Sequence, residues 1–359
     1  MTTNSLPITL TTLTPLWTGG ADGTCKSGPH ITGIMGSLRW WYEVLVRGVG
    51  GRVCDMNSPC KDDKDDKPYQ GLCDVCRLFG ATGWARRFKL IVSEQKLEWK
   101  QPAASTIDNS GNRVFRLSAD HPADHDPRWY LPGNPLYGNV TLEIVATLPL
   151  EEKGNQLLNP QVIAGLIQLI ADRGSLGAKS QLGMGVVQLA SRQSTQPLLA
   201  HLKELVEKHK HRDDRRDYYE YYDDLPSLHN MFFARVKVTS ATESDTYDLK
   251  YDLRGMFRQA FKDIELRHTI MGAVSRRERQ GAKIMMSYPY DNGTIRIWGW
   301  IPKLAEPHTH PSRNEVLDEI YALLEDIYKD NFSYWLDFNP KKYSDMMDYL
   351  EEQILKEGK

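Results

Sequence analysis

Apolar and polar residues alternate along several short stretches of the N-terminal half, and such alternation predicts half-buried β-strands. Two other stretches carry apolar residues at helical spacing: 33–46, and 160–170, where Asn159 is a candidate N-cap and Pro160 stands at the first helical position. The strands are expected at 8–16, 87–99, 139–148 and 186–190. The predicted element order is therefore β-α-β-β-α-β, which is typical of a ferredoxin-like or RRM-like domain with a four-stranded antiparallel sheet.

A weaker second copy of this pattern follows in the C-terminal half. It consists of a strand at 231–239, a helix at 253–264, a hairpin at 282–301 that turns at Asp291-Asn-Gly, and a helix at 315–328. We therefore expect an α+β protein with two ferredoxin-like (RRM-like) domains, at 1–195 and 229–359, the second ending in a helical tail. The charged segment 196–228 is expected to be a helical linker, either solvated or in contact with another protein.

Four of the five cysteines lie in an insertion in the first domain, expected at 48–80. Cys54, Cys60, Cys73 and Cys76 have the spacing C-x5-C-x12-C-x2-C, whereas Cys25 stands apart. Such local clustering does not resemble a disulfide framework spread through a secreted fold. Four soft ligands favour a structural zinc site without an open position for water, and the alternative is a set of free or regulatory thiols.

Composition limits the possible classes of protein. The chain has 359 residues, of which 40% are hydrophobic and 26% charged, so it is long enough for two packed domains. Its formal net charge is -2, so any nucleic-acid surface must come from local clusters of Lys and Arg. No apolar run is long enough to span a membrane and no signal-peptide pattern opens the sequence, which predicts a cytoplasmic protein without a membrane partner.

A glycine-rich stretch runs from Arg173 to Gly185, between a predicted helix and a predicted strand. A phosphate loop has the opposite order, with the strand first, so an NTPase is disfavoured. Glycines allow the backbone to approach a bulky anion, and Arg173 and Lys179 supply positive charge, so the backbone of an RNA is a sensible ligand. The alternative is a mobile loop without a ligand.

This loop, together with other motifs, resembles the RAMP superfamily, whose signature is a glycine-rich loop after the second helix of a ferredoxin-like domain. The segments Leu13-Thr-Pro-Leu-Trp-Thr-Gly-Gly-Ala and Gly33-Ile-Met-Gly-Ser-Leu-Arg-Trp-Trp-Tyr are similar to the opening of the first Cmr subunits of type III-B CRISPR complexes. Cys76-Arg-Leu-Phe-Gly-Ala resembles a common RAMP turn, and the segment from Arg267 to Arg277 fits the second half of the family more weakly.

The resemblance implies a subunit that binds RNA and does not cut it. Such a subunit would cap a Cmr effector complex, help to hold the 3′ region of the crRNA and capture target RNA in antiviral defence. Its partners would be crRNA, target RNA and the other Cmr subunits. The resemblance also supports a zinc-binding insertion, since related RAMP subunits carry one in this region.

Cations for phosphates and flat side chains for unstacked bases are the groups that RNA recognition needs. Trp41 shares the apolar stripe of its helix and is better explained as a core residue. For any single arginine, a solvated charge is a comparable explanation. The predicted RNA-binding residues are Arg39, Trp40, Arg47, Arg77, Arg86, Arg87, Arg173, Lys179, Ser180, Arg276 and Arg277.

The main alternative is a Cas6-type endoribonuclease that processes CRISPR repeat RNA without a metal. His30, with Lys26 and Lys179, could then act around a 2′-hydroxyl. A lone histidine in a loop is more often ordinary than catalytic. A further alternative is another RAMP subunit, such as a repeated backbone subunit of a different type III complex. The clusters around His121 and His308 are explained as loop residues, not as metal sites.

Overall fold

The computed structural model describes residues 5–19, 25, 28–55, 60, 72–149, 157–209, 224–238, 241–274, 279–303 and 311–356. No helix in these ranges is both long and apolar enough to cross a membrane. In chain order the elements of the first part are β1 (Ser5–Thr12), α1 (Ile31–Gly48), α2 (Asp74–Phe79), β2 (Phe88–Trp99), β3 (Thr106–Ile107), β4 (Arg113–Arg116), β5 (Arg128–Tyr130), β6 (Leu136–Ala146), α3 (Pro160–Arg173), β7 (Val187–Leu189) and α4 (Gln196–His209).

The second part continues the chain from residue 231. Its elements are β8 (Met231–Lys237), α5 (Glu243–Ala260), α6 (Ile264–Met271), β9 (Ala273–Val274), β10 (Arg279–Gln280), β11 (Ile284–Met286), β12 (Thr294–Trp300), α7 (Arg313–Tyr328), β13 (Phe332–Asp337) and α8 (Met346–Tyr349). The protein is thus a mixed α/β chain in which all the described strand pairs are antiparallel.

The first four-stranded sheet has the spatial order β2-β6-β1-β7. Its four strands and its helices α1 and α3 confirm the elements predicted from the alternating and helical patterns, with ends shifted by a few residues. Asn159 caps α3, since its side chain accepts a hydrogen bond of 3.0 Å from the backbone N–H of Gln161. The apolar positions of β1 and β6 face α1 and α3, which together form the first core.

The segment between β2 and β6 forms a small sheet of its own. The sequence predicts no helix or strand at 101–135, whereas the structure shows that this excursion between β2 and β6 contains β3, β4 and β5, paired in that order. Phe115 of β4 is fully buried and stacks on Tyr247 of α5, with ring centroids 4.6 Å apart. The excursion is therefore packed against the second part of the chain.

The second sheet has the order β11-β12-β8-β13. Its connectivity is the same as that of the first sheet: in both, the first strand lies between the third and the fourth, and the second strand is at an edge. The hairpin predicted at Asp291-Asn-Gly is confirmed, because all three residues have positive φ and Tyr290 and Thr294 exchange backbone hydrogen bonds. The predicted helix at 315–328 is confirmed as α7, whereas the one predicted at 253–264 begins ten residues earlier, as α5.

Both faces of the second sheet are buried. Phe232 and Val236 of β8 face α5 and α7 in one core, while Phe233 faces the other way into the first core. There its ring stacks on Trp41 of α1, with centroids 6.4 Å apart. A strand covered on both sides has a nearly continuous apolar sequence, and this explains why Met231–Lys237 does not alternate.

The first core extends beyond the boundary expected at residue 195. The buried leucines of α4, among them Leu198 and Leu202, pack on this core, so α4 is not the solvated linker that its charge suggested. The aromatic and apolar residues of the C-terminal tail, such as Tyr349 and Ile354, pack there too. The rest of the charged segment, residues 210–223, lies outside the described residues.

We predict that Gly174→Ala lowers the free energy of unfolding by about 1–3 kcal/mol, the usual range for overpacking a core. A Cβ on Gly174 would lie 2.0 Å from Cζ2 of Trp41, whose ring is buried and has little space to move. Chemical denaturation of the variant measures the change.

The matched control is Gly36→Ala in the middle of α1, where an added Cβ meets no atom within 4 Å. Replacing a helical glycine there should stabilise the protein by about 0.5–1 kcal/mol. Equal stability of the Gly174→Ala variant and the wild type would contradict the close packing described here.

Candidate metal centre and nucleic-acid interface

Four cysteines converge beside the N-terminus of α2. The sulfur atoms of Cys54, Cys60, Cys73 and Cys76 all lie within 4.8 Å of one another, and those of Cys54 and Cys76 are 3.6 Å apart. A tetrahedral ion with zinc–thiolate bonds of about 2.3 Å would place its sulfur ligands about 3.8 Å apart. The four thiols therefore fit a tetrahedral metal centre with a small adjustment of their side chains.

Local structure positions these ligands. Cys73 is the N-cap of α2 and its sulfur accepts a hydrogen bond of 3.4 Å from the backbone N–H of Cys76, so the C-x2-C pair occupies one helical turn. The backbone N–H of Cys73 in turn donates to the sulfur of Cys60. Hydrogen bonding to Cys76 and burial raise the pKa of the Cys73 thiol, and therefore metal binding must displace protons.

Arg39 of α1 belongs to the surroundings of this cluster. Its guanidinium donates to the sulfur of Cys76 at 3.2 Å, to the carbonyl oxygen of Gly80 at 3.2 Å and to Glu43 at 3.1 Å. A positive charge beside a set of thiolates offsets part of their negative charge. Arg39 is about one third exposed, and the contacts it makes in the described chain are to protein groups.

Cys25 does not belong to the metal centre. It is buried, and its sulfur accepts a hydrogen bond of 3.2 Å from the backbone N–H of Thr18. The prediction that it stands apart from the four ligands agrees with this geometry.

The glycine-rich loop, residues 174–185, connects α3 to β7. Both ends of the loop are buried, whereas its middle is accessible; we call residues Ala178, Lys179, Ser180 and Gln181 the loop tip. The backbone N–H of Ala178 donates to the carbonyl oxygen of Trp17, and the Nζ of Lys179 lies 5.1 Å from the centroid of the Trp17 ring. The tip therefore presents a cation and an aromatic ring side by side.

The N-terminal half of α1 and the segment before it surround the loop. Ser37 and Trp41 both donate to the carbonyl oxygen of Ser175, at 3.4 and 3.2 Å. The backbone N–H of His30 donates to the hydroxyl of Thr18, whose Cγ2 lies beside Gly177. His30 and Lys179 thus each contact the Trp17–Thr18 segment, His30 at Thr18 and Lys179 at Trp17.

The second part of the chain donates hydrogen bonds to carbonyl groups at both ends of the loop. Arg235 donates to the carbonyl oxygen of Asp172 at 2.9 Å, and the buried Arg296 donates to that of Gly174 at 2.7 Å. At the other end, Lys250 donates to the carbonyl oxygen of Gln181, and the hydroxyl of Tyr247 donates to that of Leu182 at 3.1 Å. Burial lowers the pKa of Lys250 to about 7.

The glycines of the loop serve the packing of the protein itself. A Cβ on Gly174 would collide with Trp41, and one on Gly183, whose φ is 87°, would lie 2.5 Å from the Tyr288 ring. The expectation that these glycines let the backbone approach an RNA is therefore corrected: at these two positions it is a protein side chain that approaches.

Burial also corrects part of the predicted set of RNA-binding residues. Arg47 is 6% exposed and its guanidinium donates to the carbonyl oxygen of Pro226, while Arg87, also 6% exposed, lies 3.4 Å above the Trp84 ring. Arg173 donates to Gln353, Ile354 and Tyr334 of the C-terminal region. Arg47 and Arg173 thus contact segments that fold back from later in the chain, whereas Arg87 stacks on a ring of its own segment.

The remaining predicted residues have different surroundings. Arg86 is exposed, Arg77 is half-buried, and Lys179 and Ser180 lie on the loop tip. Trp40 is partly buried, with its ring centroid 5.0 Å from that of Trp41 and 5.9 Å from that of Trp300. Arg276 and Arg277 lie outside the described residues.

Sequence reasoning missed a second group of cations, on α5 and α6. Arg254 and Arg258 line a groove between α5 and the excursion, together with Tyr251 and Trp129. Their spacing of four residues on one helix was available in the sequence, but the facing wall of the groove comes from a segment more than 120 residues away.

Residues 9–188 match the model of the RAMP superfamily. This match spans half of the chain and includes the glycine-rich loop, and the chain therefore belongs to the RAMP superfamily. No curated protein matches the sequence significantly.

Several solved structures resemble the chain weakly. A chain of the type III-B Cmr-beta structure bound to cognate target RNA and AMPPnP is 10% identical with a TM-score of 0.42, and the alignment covers 88% of this chain and 99% of that one. Cmr1 from Pyrococcus furiosus is 12% identical with a TM-score of 0.39, covering 90% and 97%. A chain of a type IV-B CRISPR complex is 15% identical with a TM-score of 0.31, covering 53% and 93%. TM-scores this low do not establish a common fold.

We predict that replacing Cys73 and Cys76 together with Ser abolishes metal binding, because two of the four soft ligands are lost. Metal content of the purified protein, measured by inductively coupled plasma mass spectrometry, should fall from about one ion per wild-type chain to background.

Cys25→Ser is the matched control, and it should keep the full metal content because Cys25 lies outside the cluster. A wild-type protein that is purified without chelators and contains no metal would contradict the assignment.

Proposed function

We propose that this chain is a non-catalytic, RNA-binding capping subunit of a type III-B CRISPR (Cmr) effector complex. In that role it helps to hold the 3′ region of the crRNA and to capture target RNA for antiviral defence. Membership of the RAMP superfamily supports the proposal, as does the similarity of the segments at 13–21 and 33–42 to the first Cmr subunits. The single observation that carries it is the accessible loop tip with Lys179 beside Trp17.

The proposal includes two ferredoxin-like domains. Each four-stranded sheet has the strand order of that fold, with two helices following its first and third main strands. We assign the domains to 1–195 and 229–359, with a cysteine-rich insertion at 48–80 and a connecting segment at 196–228. Within the connecting segment, α4 packs on the first core.

RNA would lie across the loop tip and the adjacent end of α1. Lys179 supplies a cation for a phosphate, Ser180 a hydroxyl, and the half-exposed ring of Trp17 a face for an unstacked base. Such contacts do not read sequence, and a subunit that must accept any guide and any target needs this property. Arg86 and Arg77 form a second candidate patch beside the metal centre, and Arg276 and Arg277 remain proposed contacts.

We propose that the metal is zinc in a structural role. Four thiolates occupy all the positions of a tetrahedral ion, so its function would be to fix the insertion to α1 and α2. Arg39 would then act mainly through Cys76, and its replacement would loosen the insertion before it affected RNA. The partners proposed for the assembled state are crRNA, target RNA and the other Cmr subunits, with this chain present once per complex.

A Cas6-type endoribonuclease is the second candidate, and one observation favours it: half-exposed His30 is bonded through its backbone to Thr18, whose Cγ2 lies beside Gly177 of the glycine-rich loop. An imidazole in this region would be compatible with general acid–base chemistry on a 2′-hydroxyl. Against this, the hydrogen bond of His30 to Thr18 is made by its backbone N–H, and among the described residues no side chain bonds to the imidazole ring to orient it.

We predict that Lys179→Ala weakens the binding of single-stranded RNA. Because one phosphate contact is lost, the plot of the logarithm of the binding constant against the logarithm of the salt concentration should become less steep by about 0.7. Fluorescence anisotropy at several salt concentrations, with the complex assembled from the neighbouring operon, measures both quantities.

Lys203→Ala provides the control, since this exposed lysine pairs with Glu351 and lies on α4. Unchanged affinity and slope in the Lys179→Ala variant would remove the loop tip from the RNA interface.

We also predict that the purified protein does not cleave CRISPR repeat RNA at a defined site in the presence of EDTA. Gel analysis of end-labelled repeat RNA tests this directly. Site-specific cleavage that His30→Ala abolishes would replace the capping role with the endoribonuclease.

A further inference from the structure

A groove with a cavity volume of about 700 Å³ separates α5 from the excursion between β2 and β6. The excursion contributes His125, Arg128 and Trp129 to its walls, and α5 contributes Tyr251, Arg254 and Arg258. The volume is within the range of about 300–1,000 Å³ that is typical of small-ligand sites. The groove is separate from the loop tip and from the metal centre, and no step of the proposed function uses it.

One face of α5 combines two arginines with open space, as an anion-binding site requires. Tyr251, Arg254, Gly255 and Arg258 are spaced at i, i+3, i+4 and i+7, so all four positions lie on the same face of the helix. A Cβ on Gly255 would meet no atom within 4 Å, so internal packing does not require a glycine there. A glycine inside a helix costs stability relative to alanine, and here it leaves open space beside the two arginines.

Positive charge accumulates at this end of the groove without matching negative charge. The ion pairs of the described chain include none with Arg254, Arg258 or the neighbouring Arg267. The Nε of Arg267 is buried without a hydrogen-bond partner. Burial and then the charges of Arg267 and Arg258 lower the pKa of Arg254. A bound anion would relieve this repulsion.

The carboxylates in the groove are at its other end and already have partners. Asp252 pairs with Nε2 of His121 at 2.8 Å, and Asp124 accepts a hydrogen bond of 3.3 Å from the hydroxyl of Tyr251. These contacts also fix the Tyr251 ring, whose centroid lies 5.6 Å from that of the exposed His125. The groove thus has flat aromatic and imidazole faces at one end and guanidinium groups at the other.

We propose that this groove binds one nucleotide unit of a single-stranded RNA, with the phosphate between Arg254 and Arg258 and the base against His125 and Tyr251. The combination of a cation pair and flat rings is the one that single-stranded nucleic acids require. Arg128 on the facing wall is 42% exposed and pairs with the buried Asp108 over a long distance of 3.8 Å, so its guanidinium could also meet the next phosphate, which favours a strand over a free nucleotide. The inference rests on the proposed RNA-binding function and extends the RNA path to the second part of the chain.

The test uses the full chain with two probes, fluorescein-labelled pentauridylate and free UMP. Two variants perturb the groove differently: Arg254→Gln with Arg258→Gln removes the cations, and Gly255→Leu fills the open space at a position where a Cβ meets no atom within 4 Å. Each should weaken binding of pentauridylate about tenfold or more. Gly255→Ala and the exposed Lys341→Gln are the controls, and both should bind within about twofold of the wild type.

Crosslinking gives the location independently of affinity. A pentanucleotide that contains 4-thiouridine should crosslink to Tyr251 or His125, as identified by mass spectrometry of the digested protein. Crosslinks confined to the loop tip, with wild-type affinity in both groove variants, would overturn the inference while leaving the proposed function in place.

Two other outcomes are distinguishable. If UMP binds in the groove and pentauridylate does not, the site serves a free nucleotide and the assignment to a strand fails. If neither the chain nor the assembled complex binds RNA at all, the proposed function fails together with this inference.

Discussion

The structure depends on the contact between the C-terminal end of α3 and the second sheet. The C-terminal end of a helix leaves carbonyl groups without hydrogen-bond donors, and here arginines from β8 and β12 are the donors. Arg235 donates to the carbonyl oxygen of Asp172, and Arg296 donates to that of Gly174. These bonds bring Phe233 of β8 against Trp41 of α1. One junction therefore fixes the glycine-rich loop, orients the two sheets and buries the second face of the second sheet.

This junction explains why several arginines make internal contacts. A buried guanidinium needs hydrogen-bond acceptors, and the free carbonyls at the end of α3 and in the tail provide them for Arg173, Arg235 and Arg296. The glycines are used in a similar way, since Gly174 and Gly183 make room for aromatic side chains. In this chain the glycine-rich loop joins the two parts of the protein, with buried ends and an accessible tip.

Two other parts of the fold also join distant segments. Cys54, Cys60, Cys73 and Cys76 converge, and Arg39 of α1 donates to the sulfur of Cys76, while Trp41 of the same helix donates to Ser175 of the loop. The excursion, which has no large core of its own, is stabilised by the stacking of Phe115 on Tyr247 of α5. The candidate metal centre and the groove are thus formed where segments distant in sequence meet.

The sequence by itself determined the order of the main elements, the hairpin at Asp291-Asn-Gly, the cap at Asn159 and the four candidate metal ligands, because each depends on local periodicity, turn chemistry or ligand spacing. The sequence could not determine which cations are exposed. Arg47 and Arg87 are arginines of a kind usually found at the surface, but both are buried in the folded chain. The length of α5, the packing of α4 and the groove beside Arg254 were likewise decided only by tertiary structure. The physical reason is that burial and charge pairing depend on neighbours brought together by folding, and no periodicity within one segment encodes them.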